Sequence, residues 1–200
     1  MLNLVLFGPP GAGKGTQAEF LINTFNLIHI STGELLRSEI AAGTELGKIA
    51  NQFMAKGELV SDDVVIEMIN AKINNNPEAK GFIFDGFPRT VDQAKALDRL
   101  LNAKGNPVTA MLCLEVEKEE LIRRLLGRGK VSGRADDQSQ KIIENRIEVY
   151  RNKTEPLIEY YNQQNKHYNI KGMGTIEEIA ERLIKKVESL WNKQIVAGGK

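Results

Sequence analysis

The stretch LVLFGPPGAGKGTQ, residues Leu4–Gln17, decides the fold of this chain. An apolar run leads directly into a glycine-rich loop, and the loop leads into a helical pattern. The loop has the GxxxxGK spacing of a phosphate-binding loop, which ends on Lys14. The usual pattern places Ser or Thr next, but this chain has Gly15 there and Thr16 one residue later. The sequence therefore predicts a strand, a phosphate loop and a helix, with one departure from the common motif.

Each part of this loop suits the binding of an anion. Glycines allow backbone conformations in which successive N–H groups point inward around a phosphate. A helix that begins near Lys14 adds the positive end of its dipole, and the Lys14 ammonium can reach β- and γ-phosphates. The alternative is a glycine-rich turn without a ligand, but the flanking strand and amphipathic helix favour the phosphate loop. The displaced Thr16 leaves open whether its hydroxyl contacts magnesium.

Apolar runs of strand length alternate with longer helical patterns along the rest of the chain. The predicted strands are Asn3–Phe7, Ile28–Ile30, Phe82–Phe84, Val108–Leu114 and Tyr168–Ile170. This alternation indicates an α/β fold with a parallel sheet that is buried on both faces. Three distinctive loops, 8–16, 31–33 and 85–89, follow strands directly. Because ligands bind outside the carboxyl ends of parallel strands, one crevice can use all three loops.

Composition limits the class of protein. The chain has 200 residues, a formal net charge of +1 and 42% hydrophobic residues, which predicts a globular domain and argues against a nucleic-acid-binding surface. Cys113 is the single cysteine, so no intrachain disulfide is expected. No apolar run has membrane-spanning length, and the first residues do not resemble a signal peptide. We expect a cytoplasmic protein. Pro156 is expected to end or kink a helical stretch that begins near Gln138, and the tail 197–200 to be frayed.

The segment ISTGELLR, Ile30–Arg37, supplies the second candidate site element. Ser31 followed by Glu34 fits a capping box that opens a helix. This structural explanation does not account for Thr32 or for Arg37. Arg37 falls in the second turn of the predicted helix, where its side chain can project toward the same crevice. By itself the segment is weak evidence for a site.

The segment GFIFDGFPRTVDQ, Gly81–Gln93, supplies the third element. Asp85 ends an apolar strand, which is the position of an acid that holds magnesium through water. The following turn is rigid and presents Arg89. Thr90 and Gln93 again fit a capping box, and a glutamine amide can also bind an adenine edge. Spacing alone favours the capping role for Gln93.

The fourth element is RRLLGRGKVSGRADD, Arg123–Asp137, followed by Arg146. Its glycines predict flexibility and its arginines provide positive charge. One interpretation is a solvated basic helix end with a surface loop. The other is a mobile flap that closes its arginines over phosphates.

Together these segments resemble the adenylate kinase family, over almost the whole chain and in the same order and spacing. The family uses GKGT as the normal form of the loop, so Gly15 is no defect. The resemblance implies a P-loop three-layer α/β/α fold with a five-stranded parallel sheet and two mobile inserts. The core would comprise 1–30, 61–126 and 138–200, with a nucleoside-monophosphate-binding region at 31–60 and a short lid at 127–137.

The resemblance also implies residue roles. Residues implied to bind ATP are Gly11, Ala12, Gly13, Lys14, Gly15, Thr16, Arg128 and Gly174. Residues implied to bind AMP are Thr32, Arg37, Val60, Gly86, Arg89, Gln93, Arg134 and Arg146. The implied catalytic set is Lys14, Arg89, Arg124, Arg128, Arg134 and Arg146. Asp85 is implied to hold Mg²⁺ through water, and the resemblance thus moves Gln93 from capping to adenine recognition.

The implied reaction is MgATP + AMP ⇌ 2 ADP, with adenine nucleotides as partners, magnesium as the cofactor and no structural zinc, because the lid is short and lacks cysteines. A monomer without nucleic-acid or membrane partners is the family expectation. The reaction needs no general base, since the second pKa of a phosphate monoester is about 6. Accordingly, neither His29 nor His167 lies in a catalytic context, and His167 is expected at the surface.

Three alternatives remain at this stage. A UMP/CMP kinase would share the loop and lid but typically has Ala at the position of Thr32 and Asn around Gln93. A nucleotide-dependent switch would need only one phosphate site, which leaves Arg37 and Arg89 without a role. A structural α/β protein would leave the arginine placement unexplained.

Overall fold

The computed structural model describes residues 1–198, with side chains described through residue 192. Its centre is a five-stranded, all-parallel sheet with the strand order β2-β3-β1-β4-β5. The strands are β1 Leu2–Phe7, β2 Ile28–Ser31, β3 Gly81–Asp85, β4 Ala110–Glu115 and β5 His167–Lys171. All five lie where the apolar runs predict them, and the predicted α/β class is confirmed.

Helices fill the connections between the strands. They are α1 Lys14–Phe25, α2 Thr32–Ala42, α3 Glu45–Met54, α4 Asp62–Asn74, α5 Val91–Ala103, α6 Lys118–Ser132, α7 Gln140–Val149, α8 Leu157–Asn162 and α9 Ile176–Gly198. A short 3₁₀ turn, Ala135–Asp137, links α6 to α7. Helix α9 includes residues 197 and 198 of the tail that was expected to be frayed, and the last two residues lie outside the described part of the chain.

Two apolar layers bury the sheet, as continuously apolar parallel strands require. On one face Phe82 and Phe84 pack with Leu97 of α5 and Tyr161 of α8. On the other face, side chains of α1 and α9 pack against Leu2, Leu4, Leu6, Ala110, Leu112 and Leu114. The sheet therefore forms the middle of three layers, and its carboxyl rim remains open for a site.

Asn3 is an exception to the apolar pattern, because it is fully buried within β1. Its side-chain amide donates to the Asn106 carbonyl at 2.7 Å, and its Oδ1 accepts from the Phe82 N–H at 3.2 Å. Its own backbone N–H donates to Thr109 Oγ1 at 3.2 Å. The amide thus connects β1, β3 and the loop before β4, with its polar atoms satisfied.

The long helical stretch is interrupted earlier than Pro156 by itself predicts. Helix α7 ends at Val149, and a π-helical turn spans Tyr150–Thr154. Within it the Glu155 N–H donates to the Tyr150 carbonyl, five residues back, at 2.9 Å. Proline lacks an N–H and its ring clashes with the carbonyl four residues earlier, so a wider turn in front of Pro156 relieves both conflicts.

No helix within residues 1–198 combines the length and the apolar character needed to cross a membrane.

Candidate active site

The phosphate loop connects β1 to α1 at the centre of the rim. Gly8, Gly11 and Gly13 have φ values of +140°, +84° and +91°, and α1 begins at Lys14. A Cβ on Gly11 would lie 2.9 Å from Leu125 Cγ of α6, so this glycine is also required by close packing. The buried Ala12, the adjacent Gly15 and the exposed Thr16 complete the loop and the first turn of α1. The predicted geometry of an anion cradle at a helix N-terminus is present.

Lys14 folds back over this loop. Its Nζ donates to the Gly8 carbonyl at 2.7 Å and to the Pro9 carbonyl at 3.1 Å. Removal from water lowers the pKa of Lys14 to about 8, and the positive charges of Arg89 and Arg146 contribute to this shift against the opposing effect of Asp85. The positive charge of Lys14 is therefore not fully balanced by nearby negative charge, which suits it to bind an anionic ligand.

A second cationic group lies across the cleft, on the turn after β3. Arg89 Nε and Thr32 Oγ1 each donate to the Gly86 carbonyl at 2.7 Å, which ties α2 to this turn. Gly86 has φ +71°, and a Cβ there would lie 2.8 Å from Arg89 Nη2. Burial, followed by repulsion from Arg146, lowers the pKa of Arg89 to about 10, and Asp85 opposes the shift.

Both cationic groups open into one cleft of about 780 Å³. Its polar lining includes Lys14, Arg37, Arg89, Asp136 and Arg146. Burial first, and then the charge of Arg134, lowers the pKa of Arg37. The cleft therefore concentrates positive charge from four separate parts of the chain.

Two aspartates that the sequence analysis did not assign hold part of this cluster. Arg128 donates from Nε and Nη2 to the two oxygens of Asp137, at 2.6 and 3.1 Å. Arg146 Nη1 donates to the Asp137 carboxylate and contacts Asp136 Oδ2 at 3.1 Å. The Asp137 side chain has no exposed surface. The quoted GRADD run contains this signal, because paired acids beside basic residues can provide their partners.

Arg124 is positioned separately, at the base of the phosphate loop. Its Nε donates to Glu120 Oε1 at 2.7 Å, and Nη2 donates to the Gly172 carbonyl at 3.2 Å. Its Nη1 lies 3.5 Å from the Ala12 carbonyl oxygen. These contacts join α6, the phosphate loop and the loop after β5. Gly174, with φ +120°, lies in that last loop, beside Glu178 and Arg182.

The predicted flap is less irregular than its glycines suggest. Helix α6 extends through Ser132, so Gly127 and Gly129 are helical, and only Gly133 has a positive φ of +63°. The backbone of Asp137 packs directly against Gly129, where a Cβ would collide with it. Gly129 thus allows a close approach of the 3₁₀ turn to α6, which spacing alone does not reveal.

Asp85 lies at the end of β3, between the phosphate loop and β2. Its Oδ2 is 3.8 Å from His29 Nε2, and a Cβ on Gly15 would lie 3.7 Å from the same oxygen. Burial opposes ionisation, but His29 and Lys14 more than offset it and lower the pKa of Asp85. A carboxylate kept ionised beside a phosphate loop fits the oxygen-donor chemistry of magnesium. Within the described residues, no group of three or more His, Cys, Asp or Glu side chains is arranged for a metal ion.

The two histidines differ in setting. His29 lies in β2 beside Asp85, closer to the site than a strand-end residue suggests. His167 begins β5 and is partly exposed. Its Nδ1 is 2.9 Å from Asn162 Oδ1, because α8 packs over the first residues of β5.

A smaller pocket of about 360 Å³ adjoins the cleft. Its lining includes Thr32, Leu36, Val60, Val65 and Gln93. The Gln93 side chain is 2% exposed, and its backbone N–H donates to the capping Thr90 Oγ1 at 3.2 Å. The reciprocal half of the predicted capping box is altered, since Gln93 Oε1 accepts from the Arg89 N–H instead of the Thr90 N–H. At Ser31 the cap is present, with Oγ accepting from the Glu34 N–H at 3.4 Å.

The fold and the site define a P-loop α/β protein with a cleft lined by cationic groups from the loop and from the turn after β3. A sequence model of the family described as "Adenylate kinase" matches residues 6–166, and the chain belongs to the adenylate kinase family. The chain is 54% identical to the adenylate kinase of Parabacteroides distasonis, over 95% of this chain and 100% of that protein. It is 52% identical to the adenylate kinase of Flavobacterium psychrophilum and 53% identical to that of Flavobacterium johnsoniae, with the same coverage.

The activity of the chain follows from its membership of this family. Adenylate kinases are nucleoside monophosphate phosphotransferases that convert ATP and AMP reversibly into two ADP, with ATP as its magnesium complex, and so maintain adenine nucleotide balance. The resemblance drawn from the four sequence segments and Arg146 is thereby confirmed.

Proposed function

We propose that the donor and acceptor nucleotides meet in the cleft between the phosphate loop and the turn after β3. The observation that carries this proposal is the shared lining: Lys14 of the donor side and Arg37, Arg89 and Arg146 face one space. Two polyanions brought together repel each other strongly. A cluster of fixed cations in a partly dry cleft offsets this repulsion, and it does so best where charge spreads in the transition state.

On the donor side, the backbone of the loop and Lys14 bind the ATP phosphates. The loop residues in this role are Gly11, Ala12, Gly13, Gly15 and Thr16. Arg128 flanks the adenine of ATP, and Gly174 also belongs to the ATP-binding set. Support comes from the positive φ angles of the loop, from the N-terminus of α1, and from Arg124, which joins the loop after β5 to the phosphate loop.

On the acceptor side, AMP occupies the smaller pocket and the adjoining part of the cleft. Gln93 reads the adenine between Thr32 and the apolar Val60, and Gly86 forms the wall of the pocket next to Arg89. Arg37, Arg89, Arg134 and Arg146 bind the AMP phosphate. Guanidinium groups suit this role because their planar donors grip two phosphate oxygens at once.

Catalysis on this arrangement is positional and electrostatic. The attacking oxygen of AMP is already ionised at neutral pH, so the side chains need not remove a proton. Lys14, Arg89, Arg124, Arg128, Arg134 and Arg146 align the phosphates and stabilise the charge on the transferred group. Asp85 would hold the magnesium ion through water, and the bound ion would offset part of the negative charge of the ATP phosphates.

We also propose that residues 31–60 and 127–137 move as closing parts over a core formed by the remaining segments. Closure would bring Arg37, Arg128 and Arg134 onto the bound phosphates and exclude water, which could otherwise accept the phosphoryl group. Both nucleotide sites lie within one chain, which supports action as a monomer. The buried single thiol, Cys113, supports a reducing, cytoplasmic setting.

The acceptor is tested by measuring ADP formation from MgATP with AMP, UMP, CMP or GMP in turn. We expect AMP to be by far the best acceptor. Equal or better turnover with UMP or CMP would contradict adenine recognition in the small pocket and favour a pyrimidine acceptor.

The role of Arg89 is tested by Arg89→Ala, with the exposed Arg99→Ala of α5 as the matched control. We expect kcat/KM of Arg89→Ala to fall by about 3–5 kcal/mol of transition-state stabilisation, because a preorganised charge contact is lost. Arg99→Ala should retain the kcat/KM of the unsubstituted enzyme. Near-normal kcat/KM in Arg89→Ala would remove this arginine from the site.

A further inference from the structure

The side chain of Gln93 is held at both ends. Its Oε1 accepts from the Arg89 N–H at 2.7 Å, and its Nε2 donates to Asp62 Oδ1 at 2.7 Å. Asp62 is the first residue of α4, and its other oxygen, Oδ2, accepts from Thr90 Oγ1 at 2.7 Å. Both oxygens of this carboxylate therefore accept hydrogen bonds from the N-terminal end of α5, which carries Gln93.

These two partners fix which way the amide faces. A peptide N–H can only donate a hydrogen bond, and an ionised carboxylate can only accept one. A flipped amide would place its NH₂ group against the Arg89 N–H and its oxygen against Asp62. Two partly buried polar contacts would then be repulsive, and each unsatisfied group would carry part of the cost of its desolvation.

The fixed amide retains one acceptor and one donor for a ligand. Oε1 has a second lone pair and Nε2 has a second hydrogen. This pair complements adenine, which offers an amino donor at N6 and an acceptor at N1. Hypoxanthine and guanine offer the reverse, an acceptor at O6 and a donor at N1, so they would need the flipped amide.

We propose that Asp62 is the positioning residue that excludes 6-oxopurine monophosphates, by holding the Gln93 amide in its adenine-binding orientation. The inference rests on the proposed function, in which Gln93 reads AMP. Asp62 itself does not touch the nucleotide. Its effect is on the choice between AMP and its 6-oxo analogues.

The test compares AMP with IMP, because hypoxanthine differs from adenine only in the reversed donor and acceptor. Asp62→Asn keeps the shape of the side chain but can accept or donate, so it tolerates either orientation of Gln93. We expect the ratio of kcat/KM for AMP to kcat/KM for IMP to fall about tenfold or more, the effect of relieving one repulsive polar contact. The change should come mainly from a lower KM for IMP, with kcat for AMP little altered.

Asp63→Asn is the matched control, because it removes the same charge from the same first turn of α4 at an exposed position. It should leave the AMP/IMP ratio unchanged. Asp62→Ser provides a second variant, since a hydroxyl also donates or accepts and can begin a helix. Calorimetric binding of AMP and IMP gives the same comparison without turnover.

The possible results distinguish a failure of the role of Asp62 from a failure of adenine recognition by Gln93. If Gln93→Leu collapses the AMP/IMP ratio but Asp62→Asn and Asp62→Ser both retain it, the role of Asp62 is overturned and the proposed function stands. If Gln93→Leu leaves the ratio unchanged, adenine recognition by Gln93 fails, and the inference fails with it. A lowered ratio in both Asp62 variants, with Asp63→Asn normal, supports the inference.

Discussion

At the scale of single residues, the lowered pKa of Lys14 shows why the site favours an anionic ligand. Its pKa lies at about 8, against an ordinary value of 10.5, because burial and neighbouring arginines disfavour its charge. Since the folded pKa lies below the unfolded one, the charged lysine opposes folding of the free protein at low pH. This penalty fades as pH rises from about 8 toward 10.5. A bound polyphosphate would remove the penalty at any pH by providing the missing counter-charge.

The first prediction concerns proton uptake by Lys14. At about pH 8.5 much of the free protein carries a neutral Lys14, whereas the ATP complex should carry a charged one, so ATP binding should take up part of a proton. Calorimetry in buffers with different ionisation enthalpies measures this uptake. Affinity should also weaken as pH rises through about 8. Lys14→Met should lose this uptake, and the exposed Lys95→Met should keep it. An uptake that survives in Lys14→Met would assign the proton elsewhere.

The second prediction concerns Asn3, whose buried amide joins β1, β3 and the loop before β4. Asn3→Ala leaves the Phe82 N–H and the Asn106 carbonyl without this partner, and should lower the free energy of unfolding by about 2–3 kcal/mol. Urea denaturation measures the change. The exposed Asn51→Ala on α3 serves as control and should change stability little. Equal stability of the two variants would contradict a bridging role for Asn3.

At the scale of elements, the 3₁₀ turn between α6 and α7 organises the arginines of both helices. Asp137 lies between Arg128 of α6 and Arg146 of α7, and Asp136 contacts Arg146 from the same turn. In the free protein these carboxylates occupy guanidinium groups that we propose for phosphate binding. The turn therefore keeps the cationic side chains together before any nucleotide arrives.

The third prediction follows from this turn. Asp137→Asn should lower the free energy of unfolding of the nucleotide-free protein by about 2 kcal/mol, less than for a fully buried pair because Arg128 is partly exposed. The deficit should shrink when saturating nucleotides supply phosphate oxygens to the same arginines. Denaturation with and without MgATP plus AMP measures both effects, and Asp92→Asn, an exposed residue of α5, is the control. A deficit that is unchanged by nucleotides would indicate a purely structural role for Asp137.

The sequence predicts these features well where they depend on neighbouring residues, and poorly where they depend on contacts between distant residues. The five strands and the phosphate loop follow from apolar runs and glycine spacing, which are local properties. The hydrogen bond between Gln93 and Asp62 joins residues that are distant along the chain, and their spacing does not predict it. The helical state of Gly127 and Gly129 also escapes a local reading, because packing of the Asp137 backbone against α6 decides it. Of the arginines that the family motifs indicate, Arg37, Arg89 and Arg146 line the cleft. The carboxylate partners Asp136 and Asp137 do not follow from those motifs.

At the scale of the whole molecule, the order β2-β3-β1-β4-β5 places β1 at the centre. The phosphate loop therefore leaves the middle of the rim, and the turn carrying Arg89 leaves the adjacent strand β3. The other arginines come from α2, α6, α7 and, for Arg134, from the segment before the 3₁₀ turn, all of which lie outside the sheet. The central strands thus carry the phosphate loop and the turn with Arg89. We propose that arginine side chains from the surrounding segments close over both.

The fourth prediction concerns this motion. If reopening after the reaction is slower than phosphoryl transfer, rapid-quench experiments should show a burst of up to two ADP per enzyme molecule, because each turnover forms two ADP, followed by a slower steady rate. Arg89→Ala should show no burst, because the chemical step itself becomes slow. The absence of a burst in the unsubstituted enzyme would mean that chemistry, or a step before it, limits turnover.

The π-helical turn at Tyr150–Thr154 makes the length of this part of the chain a constraint in its own right. This turn already holds one residue more than an α-helical turn, so a further inserted residue would not be absorbed, and everything downstream would rotate by about 100° relative to Arg146. Leu157 and Tyr161, both fully buried, would then face solvent. Insertions into this turn should therefore be tolerated far less well than substitutions. In this segment it is the count of residues, more than their identity, that keeps the cleft and the core in register.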